Sequence, residues 1–294
     1  MKIFIGATSL RPAYGGPAFS VPRLAVALTE AGAYVGLWSA DQSSDLLPCR
    51  TAVSRLTGSA AEALDCFGQP DILHDNGVWL PHNHQLARLA REREIPRIVS
   101  LRGMLEPWAM QHKRWKKRLA WNLYQFRDLR RASCLHTTAE PEAENARALG
   151  LGLPICTIPN GVDLPGGCPE FAGPAGNKDK RMGFKTALFL GRIYPVKGLP
   201  MLIEAWRRVR PRDWVLQIAG PDEAGHRSDL ERAIANAGLD DVVSFLGPVH
   251  GERKRATLLA ADLFVLPTHS ESFGMVVAEA LAHGLPILTT TGAP

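Results

Sequence analysis

The sequence is written in a rhythm. Short β-like apolar runs alternate with helical patterns almost from end to end. The runs predict strands at Lys2–Ile5, Val35–Ser39, Asp71–His74, Arg97–Leu101, Cys134–Thr138 and Ile155–Ile158, then at Ala187–Leu190, Val215–Ala219, Val242–Leu246, Asp262–Leu266 and Pro286–Thr290. Several are continuous rather than alternating, as parallel strands covered on both faces require. Helical patterns such as Ser20–Ala31, Leu199–Val209 and Arg255–Ala261 lie between them. The expectation is an α/β protein with doubly wound, Rossmann-like parallel sheets.

The rhythm breaks once, between Asn160 and Phe184, in a stretch rich in Gly, Pro and charge. It reads as a linker, 161–184, between an N-terminal domain (1–160) and a C-terminal domain (185–294). With 294 residues, each domain is long enough to bury its own core. The strand ends of both would line a cleft between them. No apolar run reaches the length of a membrane span, and the first residues read as a strand rather than a signal peptide. The five cysteines are scattered and lack metal-ligand spacing, which suggests reduced thiols and a cytoplasmic protein.

The net charge of +5 is concentrated in one place. Residues 111–131 hold eight Lys or Arg against one acid, a local net of +7, so the remainder is slightly acidic. A single basic patch argues against general nucleic-acid binding. The patch reads as an amphipathic helix with Trp115, Leu119, Leu123 and Phe126 on one stripe, and Trp121 and Tyr124 on its flanks. Lys113, Lys116, Lys117, Arg127 and Arg131 lie largely off that stripe. Two readings stand: the stripe packs on the N-terminal sheet, or basic and aromatic residues together rest on an anionic membrane surface.

The chemistry-bearing stretches fall at strand ends. After the strand ending at Leu266 comes a polar turn, with Ser272 as the expected N-cap of a helix whose first turn is Phe273-Gly274-Met275. Such a helix start favours an anion. Glu271 and Glu279 bracket it, while Val277, Ala280, Leu281 and Gly284 form the expected core stripe. The strand ending at Leu190 runs into Gly191-Arg192-Ile193-Tyr194-Pro195-Val196-Lys197-Gly198. Arg192 and Lys197 are either a solvated pair or a diphosphate clamp, and the nearby anion site favours the clamp. In the first βα turn, Gly15-Gly16 serves a tight turn or a close backbone approach to a phosphate. It is not a GxGxxG fingerprint, which disfavours a nicotinamide cofactor. His74 closes one expected strand and Arg102 follows another; each is a structural or a catalytic candidate. The other eight histidines show no pattern.

Taken together, GGP near the N-terminus, IPNGVD (158–163), GRIYPVKG and ESFGMVVAE, with seven residues between Glu271 and Glu279, resemble the retaining GT-B glycosyltransferases of family GT4. SLRGMLEPWA and KKRLAW resemble the branch that builds bacterial cell-surface polysaccharides, including lipopolysaccharide. The resemblance implies a nucleotide-sugar donor approached by the backbone at Gly15 and Gly16 and neutralised by Arg192 and Lys197. Glu279 would hold ribose, Glu271 the transferred sugar, and the amides of Phe273, Gly274 and Met275 would complete the site. Asn160 and Gly161 would lie where the chain passes between domains.

The implied catalytic set is Glu271, Arg192, Lys197, His74 and Arg102, with no metal and no cofactor beyond the donor itself. The leaving diphosphate would accept the proton of a glycan or lipid-linked acceptor. Relatives carry histidines where Arg102 and Asn76 stand, so the acceptor side departs from the pattern. Family members also continue past the position of Pro294, which implies an incomplete C-terminal domain, and makes an inactive nucleotide-sugar-binding remnant or non-catalytic subunit the alternative. A relative with other chemistry, such as an epimerase, is a third reading. The expected location is cytoplasmic, at the inner face of the plasma membrane if the basic patch docks there.

Overall fold

The structure, a computed structural model, describes residues 1–47, 51–111, 114–164 and 183–293. Most of the expected linker, 165–182, lies outside the described residues, as do His112 and Lys113 of the basic patch. The chain divides into two compact units, Met1–Gly161 and Val162–Pro294.

Unit 1 is a seven-stranded, wholly parallel sheet. Its strands are β1 (Lys2–Ala7), β2 (Tyr34–Ser39), β3 (Ser54–Leu56), β4 (Ile72–Asn76), β5 (Arg97–Ser100), β6 (Cys134–Thr137) and β7 (Ile155–Thr157), in the order β3-β2-β1-β4-β5-β6-β7. The apolar run of β1 is continuous because alternate residues feed different cores. Phe4 packs with Trp38, Leu64, Phe67 and Leu86 on one face. Ile3 and Ile5 meet Val21, Ala25, Val35 and Leu37 on the other. Helices Ala60–Phe67 and Pro81–Glu92 cover the first face, and Gly16–Glu30 covers the second. Ser59 caps Ala60–Phe67 in a reciprocal box, accepting from the Glu62 amide while Glu62 accepts from the Ser59 amide. The apolar pattern does not announce β3, a three-residue edge strand paired with β2.

A buried ion pair crosses from β5 to β4. Arg97 donates to Asp75 at 3.1 Å and to the Asp128 carbonyl at 2.5 Å; its side chain is 5% exposed and that of Asp75 is 1%. Burial pushes the Asp75 carboxyl up to about 7, against the opposing pull of Arg97.

The basic patch departs from a single amphipathic helix. It forms helical pieces Arg114–Ala120 and Phe126–Arg130 joined by a π-turn, Trp121–Gln125. The wider turn accommodates two consecutive residues gripping one backbone unit. Gln125 accepts the Trp79 amide at 2.7 Å, and the Tyr124 hydroxyl donates to the Trp79 carbonyl at 2.6 Å. Trp121 and Phe126 pack on the core. Trp115, Leu119 and Leu123 do not: they are 69%, 54% and 62% exposed.

Unit 2 is a five-stranded parallel sheet of β8 (Lys185–Leu190), β9 (Trp214–Ala219), β10 (Val243–Gly247), β11 (Leu263–Leu266) and β12 (Ile287–Thr289), in the order β10-β9-β8-β11-β12. Helix Leu199–Val209 buries Leu199, Leu202, Ile203 and Trp206, the one-face spacing of an amphipathic helix. In both units the strand order reverses beside the first strand, between β1 and β4 and between β8 and β11. Open parallel sheets bind ligands outside the carboxyl ends of strands at such reversals.

Candidate functional site

In unit 2 the reversal is built by two loops pressed together. After β8 the chain makes a short 3-10 turn, Pro195–Lys197, and reaches Gly198 in the left-handed region at φ 66°. A Cβ at Gly198 would stand 1.9 Å from the Pro267 carbonyl oxygen, so no other residue fits without moving backbone. The contact is continued by the His269 amide donating to the Val196 carbonyl at 2.8 Å and by Thr268 Oγ1 reaching the same oxygen at 3.1 Å. Residues after β8 are thereby fastened to residues after β11, and Lys197 Nζ donates to Glu271 Oε2.

Two further cation–carboxylate pairs complete this end. Arg192 donates to Glu223 at 2.6 Å, with its guanidinium over the Tyr194 ring at 5.9 Å. Lys254 on helix Gly251–Ala260 donates to Glu279 on helix Met275–Ala282. The structure therefore places Arg192, Lys197, Glu271 and Glu279 in the loops and helix that follow β8 and β11, all four with charged partners already in hand. Neither Glu223 nor Lys254 carries a sequence signal: the first follows β9 in an ordinary loop, the second lies 25 residues before Glu279.

The helix start differs from expectation. Helix Met275–Ala282 begins two residues later than Phe273, and its N-cap is Gly274, left-handed at φ 77°, rather than Ser272. Phe273 and Gly274 thus stay in the turn, and Met275 is the first helical amide. Glu279 lies one turn into the helix. The core face is Val276, Val277 and Ala280; Leu281 and Gly284, expected on it, are exposed.

In unit 1 the turn after β1 runs through a 3-10 turn, Pro12–Tyr14, to Gly15 at φ 86° and a helix beginning at Gly16. A Cβ at Gly16 would meet nothing within 4 Å, so the space at its side-chain position is open.

Arg102 sits at the carboxyl end of β5 with φ 55°, strained for a non-glycine residue. Four neutral contacts hold its guanidinium. Asn76 Oδ1 accepts from Nε at 3.2 Å and from Nη2 at 2.7 Å, while Ser20 Oγ and Asn160 Oδ1 accept from Nη1 at 3.2 and 2.7 Å. Asn76 in turn donates to the Gly6 carbonyl, which fixes its amide orientation. Arg102 therefore ties the ends of β4 and β5 to the first helix and to Asn160. Among the described residues no carboxylate is within ion-pairing distance of it. Burial pulls the guanidinium down to about 10, still protonated at neutral pH.

His74 is not at a strand end. β4 continues through Asp75 to Asn76, and the His74 ring is buried. It belongs to a chain: His74 Nε2 lies 2.8 Å from Ser100 Oγ, which contacts His136 Nδ1, whose Nε2 lies 3.0 Å from the Ile158 carbonyl. A carbonyl only accepts, so the proton of His136 is on Nε2, its Nδ1 accepts from Ser100, and Ser100 accepts from His74. Burial, then the charge of Arg102, pushes His74 down to about 3, so it stays neutral. Ser100 and His136 went unrecognised in the sequence because only strand pairing brings them to His74.

Among the described residues no group of three or more His, Cys, Asp or Glu is arranged to hold a metal ion.

Comparison with known proteins bears on these features. Residues 15–161 match the family described as "Glycosyl transferase 4-like domain", and residues 176–294 match "Glycosyl transferases group 1". The D-inositol 3-phosphate glycosyltransferase of Pseudarthrobacter chlorophenolicus is 38% identical over 142 residues, 46% of this chain and 34% of that protein. The protein of the same name from Actinosynnema mirum is 29% identical over 285 residues, 91% of this chain and 66% of that protein. The chain thus spans less than two thirds of either relative. Among solved structures, Anabaena Alr3699/HepE in complex with UDP and glucose superposes over 100% of this chain and 81% of its own, with TM-score 0.72 and 20% identity. At that identity the likeness shows the fold alone: two parallel α/β sheets of the GT-B type.

Proposed function

Because the chain belongs to the glycosyl transferase 4-like family, we propose that it transfers a sugar from a nucleotide-sugar donor to a hydroxyl acceptor, with retention and without a metal. The observation that carries this reading is the fastened pair of loops in unit 2. Lys197, with Arg192 in the same loop, offers cations to a diphosphate, while Glu271 and Glu279 offer carboxylates to sugar and ribose hydroxyls. Fixed cations stabilise the charge that develops on the leaving diphosphate, and the diphosphate itself accepts the proton of the acceptor. In unit 2, Phe273, Gly274 and Met275 supply backbone to the donor. Arg102 orients the acceptor, and His74 acts behind it. A structural neighbour holding UDP supports a nucleotide donor.

The test is a panel of nucleotide sugars and nucleoside diphosphates followed by thermal unfolding. A matching ligand at a hundred times its Kd stabilises by about 2.7 kcal/mol. Transfer of that donor's sugar is expected to survive EDTA. A flat panel removes the donor site; loss of turnover in EDTA removes the metal-free mechanism.

The acceptor has two candidates. The relatives' names favour a phosphorylated inositol. The exposed face of unit 1 favours a glycan on a lipid carrier in cell-surface polysaccharide synthesis, made at the cytoplasmic side of the membrane. Trp115, Leu119 and Leu123 are exposed there, in the same stretch of chain as exposed Arg114, Lys116, Arg118, Arg127, Arg130 and Arg131. No helix among the described residues is long and apolar enough to cross a membrane, so contact would be peripheral. Each cation near an anionic surface contributes about 1 kcal/mol. Phosphatidylglycerol-containing vesicles are expected to bind the protein, phosphatidylcholine vesicles much less, and a Lys116→Glu, Arg118→Glu variant roughly tenfold less or weaker still. Equal binding by the charge-reversed variant ends the membrane reading.

A further inference from the structure

We propose that Lys254, which no motif singles out, is the positioning residue for Glu279, and that it sets recognition of the donor's ribose. The inference rests on the donor reading above and extends it to a residue on a different helix. Helix-surface ion pairs elsewhere in unit 2 are local: Glu204 with Arg207 and Arg208, Arg227 with Glu231, and Arg232 with Asp229 join neighbours on one helix. The Lys254–Glu279 and Lys197–Glu271 pairs join residues 25 and 74 positions apart. They are also more sheltered: side-chain exposures are 26% and 14% in one, 13% and 17% in the other. Helix Met275–Ala282 thus has two carboxylates, one in the turn before it and one within it, each held by a lysine from another element.

The chemistry follows from what a carboxylate can accept. Its two oxygens offer about four lone-pair sites, and Lys254 takes one on Oε2. A carboxylate held through one oxygen in this way can also accept from the vicinal hydroxyls of a ribose. The lysine has a second effect: an unpaired Glu279 beside a bound diphosphate would be repelled by it, whereas the neutralised pair is not. Without Lys254 the carboxylate loses its anchor and turns from the anion, and the ribose hydroxyls lose their acceptor. A pair that merely ties two helices together would not touch this discrimination.

The experiment measures Kd by calorimetry for UDP and GDP and for their 2′-deoxy and 3′-deoxy counterparts, on the full chain. Wild type is expected to prefer the ribose form of the base it binds by roughly tenfold or more, the scale of a hydrogen bond to a charged group. Lys254→Gln is expected to shrink that preference to about threefold or less, and Lys254→Arg to keep most of it, the charge-assisted contact being retained. Should Lys254→Gln fail to fold, Lys254→Met is read in its place. An undiminished ribose preference in a folded, uncharged variant overturns the assignment, as does a wild type that binds nucleotide without such preference. A wild type that binds no nucleoside diphosphate of the panel above overturns the donor reading itself, and the two failures are told apart by that result.

Discussion

Alanine at both Arg192 and Lys197 is expected to lower sugar transfer by at least roughly a hundredfold, and removal of a single donor aimed at developing charge already costs about 10²–10³ in kcat. The structure adds a reason for the effect to be large. Each cation is paired with a carboxylate, Arg192 with Glu223 and Lys197 with Glu271. Deleting a cation therefore does more than remove an attraction: it leaves a carboxylate facing the incoming diphosphate. The Lys197 change is expected to be the more damaging single substitution, because its pair is the more sheltered of the two. The Arg192–Glu223 pair is well exposed, and its loss alone should alter stability little. The measurement is steady-state transfer beside thermal unfolding. Unchanged kcat/KM in the folded double variant would remove both residues from the donor clamp.

The second large effect is one of stability. Arg97→Met is expected to destabilise unit 1 by about 3–5 kcal/mol, because it leaves Asp75 without its cation in the interior. It also removes the donor to the Asp128 carbonyl. The loss should shrink as the pH falls from 8 to 5. Burial already raises Asp75 from its ordinary value of 3.8 to about 7 in the folded state, so folding favours its protonated form and stability from this group is lost as pH rises through about 7. Without Arg97 the carboxyl has still more to gain by taking up a proton, which is cheaper at pH 5. Hydrogen exchange of the β4 and β5 amides reads the opening free energy of this region, separately from unit 2. A penalty independent of pH would show that Asp75 is not the group left exposed to the change.

The strands were legible because of how the sheets are covered. Phe4, Phe189 and Phe264 are fully buried in strands with helices on both faces, and that double covering writes an unbroken apolar run into the sequence. β3 escaped because Ser54-Arg55-Leu56 makes no apolar run, whereas the equally short edge strands β7 and β12 carry Ile155-Cys156 and Ile287-Leu288. The loops carrying Arg192, Lys197 and Glu271 and the helix carrying Glu279 were recognisable by residue type and spacing, but the partners of Arg192 and Glu279 were not. Glu223 and Lys254 reach them only through the folding of β9 and of helix Gly251–Ala260. The depth of His74 was misjudged for a related reason: the polar Asp75 and Asn76 look like the start of a loop, yet each is satisfied inside the sheet, by Arg97 and Asn83 and by Arg102 and the Gly6 carbonyl. The basic patch kept its composition and lost its regularity, because the grip of Tyr124 and Gln125 on Trp79 imposes a π-turn that periodicity alone does not foretell.

The close approach at Gly198 has a consequence for engineering. Since backbone meets backbone there, the spacing of Lys197 and Glu271 is set by main-chain contact and not by the bulk of neighbouring side chains. Residues around the clamp can then be exchanged to retune which base or sugar is accepted, as they would be in a directed library, without the frame drifting. Gly198 itself is a place such a library must leave alone, as is Gly220, where a Cβ would stand 1.8 Å from the Gly191 carbonyl oxygen next to Arg192.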